Sequence, residues 1–438
     1  MKQKQSFSDR ALCGSTATIV SCKAGTLAAN ASPFCSRRRD KACFEIAGSV
    51  VSERVDSGRS GKKADCRPPL HTREENSGPR GPEPCTGIDF ASYDYLALAS
   101  APRMRQAVSR AIEAGTPIGA GGPRLLRGNC QEHERLEAEA AQFFGAERAL
   151  FFDGGYAANF SVLTTLPQRG DLVVVDSLVH ASIHDGTRAG RADFRISAHN
   201  DPHSVENTIR DWRAQGGMGR VWIVTESLYG MDGDFAPLEE LVALAALYGA
   251  FLMLCEGHAT GVYGEQGRGL AAPYAGRDNV VVIHTCGKAL GATGALVTAS
   301  SAVCGFIINR CRPFMYATAP SPLIAVAVRE ALLILQQEPE RRERLEKLIS
   351  FTHREMKARG LPRSSNSQII PYIVGDNAHT NRLASAMRKR GFDVRGIRPP
   401  MVPAGTARLR ISLTLNVNER DATSMLDALA EETRGYSR

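Results

Sequence analysis

The chain has 438 residues, 43% of them hydrophobic and 23% charged, an ordinary globular composition with enough apolar material for a large core. It contains no run of about 18 apolar residues and no apolar stretch at its start of the kind a secretory signal needs, so a cytoplasmic protein is the default expectation. The net charge of +8 is concentrated early: Met1 to Cys85 holds 15 Lys and Arg against 9 Asp and Glu, and the rest holds 39 against 37, which removes the clustered positive charge that nucleic-acid binding requires.

Residues 1–85 carry Ser, Gly, Pro, Arg and Cys without helical or strand periodicity and read as a disordered extension. The basic, serine-containing start also fits an organelle transit peptide. Six of the eleven cysteines (Cys13, Cys22, Cys35, Cys43, Cys66 and Cys85) fall here, at spacings that match no zinc pattern. From Ile88 the texture becomes regular. A helix is predicted over Gln131 to Phe144, with strands at Ala149 to Phe152, Leu172 to Val175, Val221 to Thr225, Phe251 to Leu254 and Val280 to His284, and a helix at Pro237 to Tyr248. Strands alternating with helices predict a mostly parallel, doubly covered sheet, with chemistry at the loops beyond the strands' carboxyl ends. A long helical region from about Ile324 to Arg359 follows, then a strand at Gln368 to Val374, a helix at Ala378 to Arg390, a strand at Arg408 to Thr414 and a last helix from about Glu419. This divides the chain into a large α/β domain over 86–335 and a small α+β domain over 336–438.

The tract His284-Thr285-Cys286-Gly287-Lys288-Ala289-Leu290-Gly291-Ala292-Thr293-Gly294-Ala295 sets one lysine among small residues just after an apolar strand. A bulky cofactor could approach the backbone there, and a desolvated amine could act as a nucleophile. On spacing alone, a glycine-rich loop with a solvated lysine accounts for the tract equally well. Cys255 and His258 might bind zinc, but no second ligand pair accompanies them, and no metal is expected.

This tract resembles the cofactor-lysine motif of the α-oxoamine synthases, which belong to the class-II pyridoxal-phosphate-dependent aminotransferases, and the similarity spans roughly the last 350 residues. The resemblance implies a type I pyridoxal-phosphate fold with a mostly parallel central sheet and a smaller carboxy-terminal α+β domain. It makes Lys288 the lysine that carries pyridoxal 5'-phosphate and removes the α-proton of the amino acid. Gly155 and Tyr156, in Gly154-Gly155-Tyr156-Ala157-Ala158-Asn159, match the turn that approaches the phosphate at a helix N-terminus. His180 matches the histidine that stacks over the cofactor ring, and His258 the one that bonds its phenolic oxygen. Thr285 matches a phosphate-binding position, and Thr318 a threonine that reaches the phosphate across a homodimer interface. Arg410 matches the arginine that holds the amino-acid carboxylate, a role suited to a planar bidentate donor.

The stretch from Ile397 to Ser412 is most like the branch of the family that condenses L-alanine with a pimeloyl thioester, on CoA or a carrier protein, in biotin biosynthesis. A glycine C-acetyltransferase-like synthase and a catalytically impaired homologue or partner subunit are the alternatives. The last rests on departures from the pattern. Cys255 stands where the family has the aspartate that pairs with the pyridine nitrogen, Gly230 where it has a serine, Tyr93 where it has an asparagine near the substrate carboxylate, Met401 where it has a threonine, and Pro123 where a small polar residue is usual. A thiol keeps the ring protonated poorly, which weakens the electron sink.

Overall fold

The architecture follows from runs of β-branched residues that are apolar on both faces. In the computed structural model, which describes residues 87–363 and 365–434, the described chain lies in one compact unit, Gly78–Arg438. The readings made for residues 1–85 fall outside the described residues. The strands are β1 (Ile88–Asp89), β2 (Arg148–Phe152), β3 (Leu172–Asp176), β4 (Asp193–Ser197), β5 (Val221–Glu226), β6 (Phe251–Cys255), β7 (Val280–Thr285), β8 (Ala295–Ala299), β9 (Ile369–Gly375), β10 (Phe392–Asp393), β11 (Arg395–Ile397) and β12 (Ala407–Ser412).

Seven of them form the main sheet in the order β2-β8-β7-β6-β5-β3-β4, with β8 antiparallel to both neighbours and the other pairs parallel. Every residue of β3 and β5 is buried, as expected for central strands covered on both faces. Two strands of this sheet escaped the sequence reading. Edge strand β4 is largely exposed and only Ser197 is buried, while β8 follows the glycine-rich tract directly, so no turn cluster announces it.

Helix Gln131–Phe144 has the predicted bounds: Cys130 and His133 form a reciprocal capping box, and Gly145, at φ 72°, closes the helix in the left-handed conformation that glycine tolerates best. The expected long helix from Ile324 to Arg359 is instead two helices, Pro322–Gln337 and Glu340–Ala358. Pro339 has no N–H to donate and disfavours a helical residue before it, and Glu338 has left the helical region at φ −124°, ψ 61°.

Strands β9, β11 and β12 form an antiparallel sheet with β12 in the middle, and β12 is buried along its whole length although it carries Arg408 and Arg410. Both arginines reach the turn that follows β5: Arg408 pairs with the Asp232 carboxylate, and the Arg410 Nε–H donates to the Gly230 carbonyl at 2.6 Å. Neither arginine turns outward; both are buried.

The same turn is pinned from below by His199, whose Nδ1 lies 2.9 Å from Asp176 and whose Nε2 lies 2.7 Å from Asp234. Burial opposes its protonation, but the two carboxylates outweigh burial and push its pKa up to about 10. Burial likewise raises Asp176, yet His199 and the Leu178 and Asn200 amides more than offset this and hold it below its ordinary value. The stabilisation from His199 is therefore complete below the unfolded histidine value near 6.5 and disappears as pH rises through about 10, while that from Asp176 is lost in acid. His199→Asn is expected to cost on the order of 2–3 kcal/mol near pH 6. In thermal melts across pH 5 to 10, the gap between wild type and variant should narrow toward the alkaline end; a gap independent of pH would contradict the assignment.

Candidate active site

The parallel strands deliver their last residues to one edge of the main sheet, where open α/β sheets bind ligands. Beyond β2 the chain turns at Gly154 into helix Gly155–Thr165; beyond β3 it reaches His180; β5, β6 and β7 end on Glu226, Cys255 and Thr285, and Lys288 follows β7. These residues, together with Tyr93, Tyr156, Asn159 and Thr293, line a cavity of about 240 Å³.

Lys288 is half-buried, and desolvation lowers its pKa, reinforced by Arg410 and opposed by Cys255 and Glu226. Its amine is packed closely against Gly257, since a Cβ on that residue would lie 2.7 Å from Nζ. Gly155 is held in the same way, because a Cβ there would lie 2.6 Å from Thr285 Cγ2. No side chain caps helix Gly155–Thr165, so its first-turn amides are left to an anion at the cavity wall. The exposed Tyr156 ring bonds Asp185 through its hydroxyl.

His180 is the N-cap of helix Ala181–Ala189: its Nδ1 accepts the Ser182 N–H at 3.1 Å and lies 2.7 Å from Ser182 Oγ, which leaves Nε2 for the cavity. Desolvation and then the charge of Lys288 keep this ring below the ordinary histidine range. The Thr285 hydroxyl donates to the Gly257 carbonyl at 3.1 Å while its residue lines the cavity.

Cys255 is buried, and burial pushes its thiol up to about 11, so it is neutral at physiological pH. Asn159 Nδ2 reaches its sulfur at 3.7 Å and Ser182 Oγ at 3.0 Å, while Asn159 Oδ1 is buried without a partner. Glu226, Asn159 and Gly154 were not picked out from the sequence. For Glu226 a signal existed: a carboxylate ending the apolar run Val221 to Thr225 is expensive to bury without a purpose.

Other expected residues lie around this cavity rather than on it. The His258 Nδ1 lies 2.6 Å from the buried Tyr95 hydroxyl, and its Nε2 faces Gly230, where a Cβ would come within 2.4 Å. A serine at 230 would thus collide with this histidine, which explains the glycine. His258 is held well below the ordinary range by burial, then by Lys288 and Arg410. Arg410 bonds Gly230 and Ser412, its Nη2 is buried without a partner, and its guanidinium carbon sits 4.2 Å from the centre of the Tyr93 ring. Thr318 forms a backbone bridge with Pro123, and Met401 is 63% exposed; neither lines the cavity.

The glycine cradle around Lys288, the uncapped helix end and the unpartnered Asn159 and Arg410 atoms fit a small anionic cofactor and an acidic substrate. The pyridine nitrogen is the exception, since a thiol stands at the end of β6. Residues 86–429 match the family model of aminotransferase class I and II. The chain is 39% identical over 345 residues to 8-amino-7-oxononanoate synthase of Chromobacterium violaceum, covering 78% of this chain and 88% of that one. It superimposes on a serine palmitoyltransferase with pyridoxal phosphate at a TM-score of 0.73 and 28% identity, covering 79% and 87% of the two chains. With 8-amino-7-oxononanoate synthase of Francisella tularensis the TM-score is 0.68 and the identity 26%, covering 81% and 99%.

Proposed function

The chain belongs to the class I and II aminotransferase family and stands with its 8-amino-7-oxononanoate synthases, and from this we propose that it condenses L-alanine with a pimeloyl thioester to 8-amino-7-oxononanoate, releasing carbon dioxide and the thiol carrier. It is a pyridoxal-phosphate-dependent enzyme of the acyltransferase type. The observation that carries the cofactor and amino-acid part of this reading is Lys288 on the cavity, its amine packed against Gly257, with the buried Arg410 donor close by; the thioester part rests on the 39% identity to an 8-amino-7-oxononanoate synthase.

The bound cofactor supplies an electron-withdrawing ring that takes up the charge left when the amino acid loses its α-proton. Lys288 holds the cofactor and then, with its pKa lowered by burial, serves as the neutral base that removes this proton. The uncapped amides of Gly155 and Tyr156, with Thr285, would receive the phosphate. Arg410 Nη2 would receive the substrate carboxylate, and His180, fixed through Ser182, would help hold the cofactor, so that the two orient the amino acid for loss of its α-proton. His258 supports the site through Tyr95, and Cys255, a neutral thiol, would offer the pyridine nitrogen no anion.

Thiol release from pimeloyl-CoA, or from pimeloyl carrier protein, is expected to require L-alanine, with glycine at least about 10-fold slower, the size of discrimination that one methyl group supports. Equal or faster release with glycine would instead indicate a glycine C-acetyltransferase-like synthase.

A second reading, an impaired homologue or partner subunit, is favoured by Cys255 and by the Tyr93 ring against Arg410. We further propose a cytoplasmic homodimer with a large domain over 86–335 and a small one over 336–438. Exposed Ile118, Leu125, Leu126 and Tyr316, close to the Pro123–Thr318 bridge, support the dimer as an apolar face in need of cover, with Thr318 placed there to reach the partner's site.

A further inference from the structure

A pyridoxal cofactor works as an electron sink only while its ring nitrogen keeps a proton, and that proton needs an anion nearby. Among the described residues that line the cavity, Glu226 alone carries a carboxyl group. It pairs in register with Cys255 on the adjacent parallel strand, so the two side chains leave neighbouring backbones about 4.8 Å apart and turn to the same side of the sheet. Oε1 of Glu226 accepts the His180 N–H at 2.6 Å, and no described residue hydrogen-bonds Oε2.

We infer that Glu226 is the ionisable partner of the cofactor ring in this chain, taking from the neighbouring strand the role that the thiol at 255 cannot fill; the inference rests on the cofactor assignment above. The groups facing Glu226 are Lys288 beyond β7, Cys255 on β6, Asp176 at the end of β3, Asp234 in the turn and the His180 amide. Burial pushes its pKa up to about 7, Lys288 and the amide draw it down, and the two aspartates add to the rise. The carboxyl therefore titrates where it can share a proton with the ring nitrogen. Asn159, with its amide on the Cys255 sulfur and its Oδ1 unpartnered, completes a polar wall on that side of the cavity.

The test is a pH titration of the lysine-dependent visible band in wild type, Glu226→Gln, Glu226→Asp and Cys255→Asp, alone and combined, each loaded with pyridoxal phosphate. Loss of a negative charge a few ångströms from the chromophore is expected to lower the midpoint in Glu226→Gln by about one to two pH units. Glu226→Asp, which keeps the charge, should stay within about half a unit of wild type, and in the Cys255→Asp background Glu226→Gln should move the midpoint by less than about half a unit. A wild-type midpoint in Glu226→Gln, or an equally large shift with aspartate at 255, would overturn the inference. Absence of any Lys288-dependent band in wild type would instead overturn the cofactor site itself, and the inference with it.

Discussion

Lys288→Ala is expected to reduce alanine-dependent turnover by about 10⁴-fold or more, because one side chain both holds the cofactor and removes the α-proton. Burial favours the neutral amine of Lys288, and a neutral amine is needed for each of these acts. The fold should not suffer. Lys288 sits on the loop after β7 and makes no side-chain hydrogen bond among the described residues, so thermal melts of the variant without cofactor should match wild type within about 0.5 kcal/mol. Borohydride reduction followed by peptide mapping gives the direct readout: the wild type acquires the cofactor's mass on Lys288 and the variant acquires none. Cofactor mass on another lysine, or near-normal turnover in Lys288→Ala, would break the assignment.

The second large effect runs the other way. Cys255→Asp is expected to raise turnover by about 10- to 100-fold and to tighten cofactor binding, because it puts a second carboxyl beside the pyridine nitrogen, where Glu226 alone, titrating at about 7, is only a partial anion at neutral pH. The cost is a second carboxyl beside Glu226 on the adjacent strand. Like charges this close do not both ionise readily, so Glu226 should remain protonated to higher pH than in the wild type. The aspartate is larger than the thiol, and its carboxylate oxygen can accept the Asn159 Nδ2–H that now reaches the sulfur. A variant that binds cofactor more tightly yet gains no turnover would place the defect elsewhere, and the Tyr93 ring against Arg410 would be the next position to change. A variant with weaker cofactor binding would contradict the view that the thiol limits this site.

The sequence revealed the sheet where burial on both faces forces unbroken β-branched runs, as in Val173-Val174-Val175 of β3 and Val280-Val281-Val282 of β7. It was silent at β4, where exposure erases that signal, and at β8, which follows the glycine-rich tract with no turn cluster to mark its start. Pro339 was available to mark the helix break, but the apolar pattern on either side of it resembled one continuous helix. Within the site, Lys288, His180, Thr285, Gly155 and Tyr156 could be singled out because each falls in a short local motif, and the fold brings the three motifs to one cavity. Glu226 and Asn159 were not, because their relation to Cys255 exists only across neighbouring strands and a helix start. Gly230 illustrates the same limit. In sequence it is a lost hydroxyl, and in three dimensions it is the space that His258 occupies while bound to Tyr95.

The most direct test of the central claim is the visible spectrum of the cofactor-loaded protein, beside Lys288→Ala, during separate titrations with L-alanine and glycine. The account predicts a band that requires Lys288 and responds to alanine at about 10-fold lower concentration than to glycine. A lysine-dependent band that alanine leaves unchanged, or no such band at all, would contradict it.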